Sequence, residues 1–252
     1  MLNYKPLKTV EPKFRMQLSE DIINKISNEP LEKALKSIAD LFHGKVVFSS
    51  SLGQEDQVIT DAIYRNDLGI DIFTLDTGRL FNETYELIER NTARYKKSMK
   101  IFFPEAADVE EFVLAKGINS FYESVENRKE CCHIRKVKPL NRALAGAKVW
   151  ITGLRAEQSL NRNNMPMLEW DDVRLLYKFN PLINWRYNEV IDYINKFKVP
   201  CNPLHDKGFL SIGCAPCTRA TEPGEDARAG RWWWEGSHKE CGLHVAAVKI
   251  GE

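Results

Sequence analysis

No stretch of this chain is apolar for the length of a membrane span. The opening MLNYKPLKTVEPKF lacks the apolar core of a signal peptide. These absences lead us to expect a cytoplasmic protein with no membrane partner. Net charge is almost absent too: 36 Lys and Arg face 35 Asp and Glu, a formal +1. Bulk charge therefore argues against a nucleic-acid partner, and any anion site must be local. There is no internal repeat, low-complexity tract or clear linker. With 252 residues, 43% of them apolar, the chain has enough material for one substantial core and a modest appendage.

The pattern that is present alternates. Residues 16–42 carry Leu18, Ile22, Ile23, Ile26, Leu31, Leu35, Ile38 and Leu41 at helical spacing, interrupted near Pro30. KVVFSSSLGQED (45–56) then reads as a buried strand, a small-residue loop and a helix start. DIFTLDTG (71–78) repeats strand and turn, residues 82–97 read as helix, and KIFFP (100–104) as strand. A short helix is expected around 108–116. CCHIRKVKPLNRAL (131–144) has a helical pattern despite Pro139. KVWITGLRAEQS (148–159) is strand then loop, RLLYKFNPL (174–182) a later strand, and YNEVIDYINKF (187–197) a helix. Such alternation implies an α/β fold with a doubly wound, mostly parallel sheet covered on both faces. Ligands of such sheets bind beyond the carboxyl ends of the strands, where the three polar loops fall. We expect a nucleotide-binding α/β domain over 1–200. An irregular extension over 201–252 would lie across the site.

Three loops offer anion or nucleotide contacts. Ser49, Ser50, Ser51 and Gly53 precede a helix and present N–H groups, hydroxyls and a positive helix end. The Gly-Lys-Ser/Thr of a Walker loop is absent, and a serine-rich cap explains the same residues. Asp76, Thr77 and Gly78 suit a ribose or base, or equally an ordinary turn. Arg155 and Arg162 suit phosphate or sulfate, because a guanidinium binds oxyanions in pairs; two solvated arginines are the plainer reading.

The six cysteines fall as Cys131-Cys132, Cys201, Cys214-x-x-Cys217 and Cys241. In a reducing compartment, adjacent cysteines plus CxxC look like metal ligands rather than disulfides. Cys131, Cys132, Cys214 and Cys217 satisfy zinc or an iron–sulfur cluster. Neighbouring side chains diverge, which suits a large cluster better than one tetrahedral ion. Lys136, four residues beyond Cys132, projects to the same side of a helix. Cys201 has no partner in this pattern. Cys241 sits among His238, Lys239 and His244, cations that lower a thiol pKa, while Glu240 opposes them. Arg228 and Arg231 precede the tryptophans 232–234, which serve as tail-docking aromatics, a partner surface or plain packing.

Taken together, ECCHIRK, GCAPCTRA, RAGRWWWE and KECGLH, with FSSSLGQED, LDTGRL and TGLRAEQS, resemble the assimilatory adenylyl-sulfate reductases of the iron–sulfur type. The resemblance runs from about residue 40 to 244. One departure is Phe81-Asn82, where the family often has His-Pro after DTGRL, and it bears on local substrate contacts. The resemblance implies an adenine-nucleotide alpha-hydrolase-like fold that reduces adenosine 5′-phosphosulfate to sulfite and AMP, with reduced thioredoxin as donor. It implies one 4Fe–4S cluster on Cys131, Cys132, Cys214 and Cys217, and Cys241 as nucleophile. Lys136, Arg155, Arg162, Arg228 and Arg231 would gather around the anionic substrate, with His244, the serine loop and the Asp76–Gly78 turn on the substrate side.

Under this reading the Cys241 thiolate attacks the sulfate sulfur, AMP leaves, and an S-sulfocysteine remains. The other paired cysteines are committed to metal, so an external dithiol must release sulfite. Three rivals stand beside it. One is a 3′-phosphoadenylyl-sulfate reductase. Another is a sulfur transferase acting on RNA, which would be expected to carry a Ser-Gly-Gly loop that this chain lacks. The third is a zinc-stapled nucleotide-binding module, which leaves Cys241 idle. Whether copies of the chain form a homo-oligomer is not legible in the sequence.

Overall fold

A computed structural model describes residues 18–158, 162 and 165–236. Six strands form one sheet: β1 (Val46–Ser49), β2 (Asp71–Leu75), β3 (Lys100–Phe102), β4 (Val149–Ile151), β5 (Leu168–Asp171) and β6 (Leu176–Phe179). Their order is β3-β2-β1-β4-β6-β5. All pairings are parallel except β5 with β6. The antiparallel edge strand LEWD is a feature the sequence pattern did not reveal. It pairs Trp170 with Tyr177, whose rings meet edge-on at 5.1 Å.

Period-two alternation sorts the strand side chains to two cores. Val46, Phe48, Ile72, Val149, Ile151, Tyr177 and Phe179 enter the larger one. Phe73, Trp150 and Leu176 enter the other. Both faces are apolar, which is why the strands read as apolar runs. The larger core is closed by α1 (Glu20–Ser27), α2 (Leu31–Leu41), α3 (Gln54–Arg65), α4 (Asn82–Tyr95) and α8 (Tyr187–Phe197). Pro30 stands as the N-cap of α2, so the 16–42 segment breaks into two helices there. A buried carboxylate ties three of these helices together. Asp61 accepts from Arg65 Nε at 3.0 Å, Tyr95 at 2.8 Å and Tyr193 at 3.0 Å.

On the other face α5 (Ala106–Lys116), α6 (Val125–Cys132) and α7 (Lys138–Ala143) complete the cover. Between α6 and α7 the helix widens to a π turn over His133–Val137, where Lys138 N–H reaches the His133 carbonyl. Pro139 follows directly, so the residue with no N–H to donate enters where the regular ladder is already interrupted. Residues 201–236 add no strand to the sheet. No helix among the described residues is long and apolar enough to cross a membrane.

Candidate active site

β1 neighbours both β2 and β4, so the chain winds away in opposite directions on its two sides. At this switch point a crevice opens beyond the strand ends. It holds a cavity of about 460 Å³, lined by parts of the segments after β1 (the serine loop and the first turn of α3), β2 (Leu75 and Thr77) and β4 (Gly153 to Gln158), and by Leu210 to Gly213, Arg228 and Arg231. That volume is within the range of small-ligand sites.

The serine loop is held mainly by its own bonds. Ser49 Oγ accepts from Trp150 Nε1 at 2.7 Å. Ser50 N–H donates to the Phe73 carbonyl at 2.8 Å, and Ser50 Oγ accepts from Leu52 N–H at 3.2 Å. Ser51 donates its N–H at 2.5 Å and its hydroxyl at 2.6 Å to one oxygen of Asp56. Leu52 is forced to φ +64°, a strained conformation that occurs where surrounding contacts over-determine a loop. The loop N–H groups at 50–52 are thus committed inside the protein. The first turn of α3, whose opening N–H groups have no partner within the helix, lines the cavity and carries Glu55 and Asp56. Asp56 is buried, and burial pushes its carboxyl up to about 6 against the opposing Ser51 bonds. Gly153 sits against this carboxylate so closely that a Cβ there would overlap Asp56 Oδ1.

Arg155 forms one wall. Its Nε meets Glu55 at 2.8 Å and its Nη1 meets Glu157 at 2.5 Å, with the side chain 6% exposed. Glu157 also accepts the Tyr187 N–H at 2.9 Å. Gln158 takes Arg155 N–H at 3.2 Å and Arg162 Nη1 at 2.7 Å. Lys136, Arg162, Arg228 and Arg231 line the cavity alongside Arg155. His205 lies on the same lining; its Nδ1 is 2.9 Å from the Phe209 carbonyl, and burial holds its pKa below the usual histidine value.

A second, much smaller pocket lies beside the first. Cys131, Cys132, Cys214 and Cys217 line it together with Arg79, Arg128, Arg135 and Lys136. Cys131 and Cys132 end α6 just before the π turn, while Cys214 caps and Cys217 closes a 3-10 turn over Ala215–Cys217. The DTGR turn clasps these parts. Arg135 Nη1 donates to the Thr77 carbonyl at 2.7 Å, Ala215 N–H to the Arg79 carbonyl at 2.8 Å, and Thr77 Oγ1 lies 3.2 Å from Cys214 Sγ. Burial raises the Cys214 thiol, but Lys136, Thr77, Arg231 and Arg135 outweigh it and hold it below the usual value. Cys217 is pushed up to about 12 by burial and by Cys214. Among the described residues no three Cys, His, Asp or Glu side chains are placed to hold a single metal ion. Four sulfurs spread around a cation-rimmed pocket have the donor chemistry of a larger thiolate-bound, anionic group. Lys136 lines both this pocket and the large cavity.

Residues 228–235 strap the two pockets together. Trp232 N–H donates to the Cys217 carbonyl at 3.2 Å, and Thr218 bridges Arg231. Glu235 accepts from Arg128 Nε and Nη2 at 2.8 Å each, a pair nearly out of solvent. The Trp232 ring packs against the guanidiniums of Arg128 at 4.6 Å and Arg231 at 4.8 Å, with its backbone at φ +43°.

Of the residues singled out from sequence, Ser49, Ser50, Ser51, Gly53, Thr77, Lys136, Arg155, Arg162, Arg228 and Arg231 meet on the large cavity. Asp76 and Gly78 do not. The Asp76 carboxylate holds its own turn, accepting Gly78 N–H at 2.7 Å and the Tyr85 hydroxyl at 3.0 Å. Cys241 and His244 lie outside the described residues. Cys201 is away from both pockets. Sequence reasoning missed Asp56, Glu157, Tyr187 and His205 on the cavity, and Arg79, Arg128 and Arg135 around the cysteines. Asp56 had a signal, two carboxylates closing the serine-loop motif. Arg128 and Arg135 had one as well, each four residues from a cysteine as Lys136 is; Arg79 had none, because the cysteines it faces are distant in sequence.

The described geometry has close counterparts. The model of the phosphoadenosine phosphosulfate reductase domain matches residues 45–220. An adenosine 5′-phosphosulfate reductase of Sinorhizobium fredii (strain USDA 257) is 52% identical over 224 residues, 88% of this chain and 89% of that protein. One from Burkholderia cepacia is 50% identical, covering 87% and 88%. Among solved structures, phosphoadenylyl-sulfate (PAPS) reductase from Candida auris, a phosphate complex, superposes with a TM-score of 0.68 at 27% identity, covering 81% of this chain and 99% of that one. Candida glabrata FMN adenylyltransferase with ATP shares the fold alone, at TM-score 0.50 and 14% identity over 88% and 80%. With a switch-point cavity lined by the expected loops, and with a match spanning most of its length, this chain belongs to the phosphoadenosine phosphosulfate reductase domain family.

Proposed function

We propose that the chain reduces adenosine 5′-phosphosulfate to sulfite and AMP by way of an S-sulfocysteine on Cys241, and that a protein dithiol of the thioredoxin class discharges it. The observation that carries this reading is Lys136, which lines both the four-cysteine pocket and the nucleotide-sized cavity. Cys131, Cys132, Cys214 and Cys217 would hold the 4Fe–4S cluster; bound there, it would supply structural cross-linking and an electrostatic influence on the neighbouring cavity. The adenylate occupies the crevice beyond β1 and β4, its anionic end at the first turn of α3. Arg155 is engaged by Glu55 and Glu157, so it shapes the wall. Lys136, Arg162, Arg228 and Arg231 line the same cavity and bring positive charge to the phosphosulfate. This matters because a thiolate attacking an anionic sulfate meets repulsion that fixed cations must offset. The Cys241 thiolate bonds to the sulfate sulfur as the bond from that sulfur to the bridging oxygen breaks, and AMP departs with the electron pair.

The test is intact-protein mass after anaerobic incubation with adenosine 5′-phosphosulfate and no reductant. The expected result is one added sulfonate, mapped to the Cys241 peptide and removed by reduced thioredoxin. An adduct only with the 3′-phosphorylated substrate would move the assignment to the chemistry named for the Candida auris neighbour. No adduct with either, on cluster-loaded protein, would overturn the nucleophile.

A further inference from the structure

The three consecutive tryptophans have different environments. Trp232 is buried beneath two guanidiniums. Trp234 packs on Tyr122 at 4.5 Å and Phe121 at 6.2 Å. Trp233 turns outward and is 39% exposed, edge-on to Trp234 at 4.8 Å and 6.4 Å from Tyr122, which is 41% exposed itself. Neither exposed ring lines the large cavity or the cysteine pocket. Both stand on a fixed base. The Tyr122 hydroxyl donates to the Pro216 carbonyl at 2.6 Å, and the Arg128–Glu235 pair closes the strap two residues past Trp233. Two adjacent, rigidly held aromatic faces are the composition of interface anchors, which bury much area at little entropic cost.

Their place in the chain says what meets them. Cys241 follows Gly236 by five residues, a reach of at most about 18 Å when extended. Anything that exchanges with the sulfur of Cys241 must therefore come within that distance of the strap's end. Trp233 precedes Gly236 by only three residues, so the Tyr122–Trp233 pair lies within the footprint open to a protein-sized partner that does so.

We propose that Tyr122 and Trp233 are the docking platform for the dithiol protein that discharges Cys241, an inference that rests on the function proposed above. The fitting partner presents an uncharged apolar rim around an exposed cysteine pair. Its thiolate attacks the Cys241 sulfur, and the bond to the sulfonate breaks with sulfite leaving. The resulting mixed disulfide is opened by the partner's second thiol. The partner ends as its disulfide, oxidised by two electrons, and Cys241 returns as thiolate.

The experiment compares thioredoxin with dithiothreitol as reductant on the cluster-loaded holoenzyme, unaltered and as Trp233→Ala and Trp233→Glu. The expected result is a KM for thioredoxin raised about tenfold or more by Trp233→Ala, and further by Trp233→Glu. Cys241 sulfonation by the nucleotide, cluster absorbance and discharge by dithiothreitol should be unchanged. An unchanged thioredoxin KM would overturn the platform, as would an equal loss with both reductants. A concentration-dependent dimer lost in Trp233→Ala with thioredoxin kinetics intact would reassign the surface to a second copy of the chain. Failure of the unaltered protein to form any Cys241 adduct would instead sink the underlying reading, and the platform with it.

Discussion

The two pockets are built by different means. The large cavity is a by-product of topology: strands of one parallel sheet end together, and their loops can only surround the crevice. The cysteine pocket is assembled from pieces far apart in the chain. It needs a π turn at 133–137, the DTGR turn at 76–79, the CxxC turn at 214–217 and a strap at 228–235. The first therefore tolerates change in any one loop, while the second depends on a few long-range bonds. Lys136 is the side chain that belongs to both.

Severing that shared point should have the largest effect. Lys136→Ala is expected to lower kcat/KM for adenosine 5′-phosphosulfate by about 10²–10³-fold, as for loss of one charge-stabilising donor. Cluster absorbance and AMP affinity should change little. Equal losses in cluster content and activity would mean that Lys136 serves the cysteine pocket alone.

The strap comes next. Arg128→Ala leaves the Glu235 carboxylate buried without its partner, a change of about 3–5 kcal/mol. Denaturant melting should report that loss. The double variant Arg128→Ala/Glu235→Gln should recover part of it, since no buried charge is then orphaned. Nucleotide binding, seated at the strand ends, should survive in both. A parallel loss of nucleotide affinity would show that the two pockets are not separable.

The smallest effect belongs to the cavity itself. Burial raises the Asp56 carboxyl to about 6, above its unfolded value, so the folded state holds the extra proton between about pH 4 and pH 6. Stability then falls as pH rises through that window, by at most about 3 kcal/mol. In Asp56→Asn the decline should be absent, while the Ser51 bonds can still be accepted by the amide oxygen. Thermal melts of both proteins across the window check it. Superimposable pH profiles would mean that the carboxyl titrates normally.

Much of this was legible in the chain. β1, β2, β4 and β6 announce themselves as apolar runs because both sheet faces are covered there, whereas β3 is a short edge strand with Lys100 and Ile101 exposed; helices such as α2 and α8 show a 3.6-residue period. The paired cysteines and CxxC motif pointed to one another without any structure. The edge strand LEWD did not show, since half of it is polar and it pairs on one side only. The serine loop suits an anion cradle or a plain helix cap from its sequence alone, and its 50–52 N–H groups are committed within the protein. Asp76 suits a ribose contact or an ordinary turn from its sequence alone, and its carboxylate holds the turn.

The sequence by itself determined the alternation of elements, the inventory of thiols and cations, and through them the class of chemistry. Those properties are local or compositional: periodicity records which face is dry, and a side chain's reactivity comes with its identity. Only the tertiary structure decided which cations face the cavity and which are spent. Arg155 lies 100 residues from Glu55, and Arg128 lies 107 from Glu235. A bond between distant residues leaves no periodic trace, because its energy depends on a separation that the whole fold must first create.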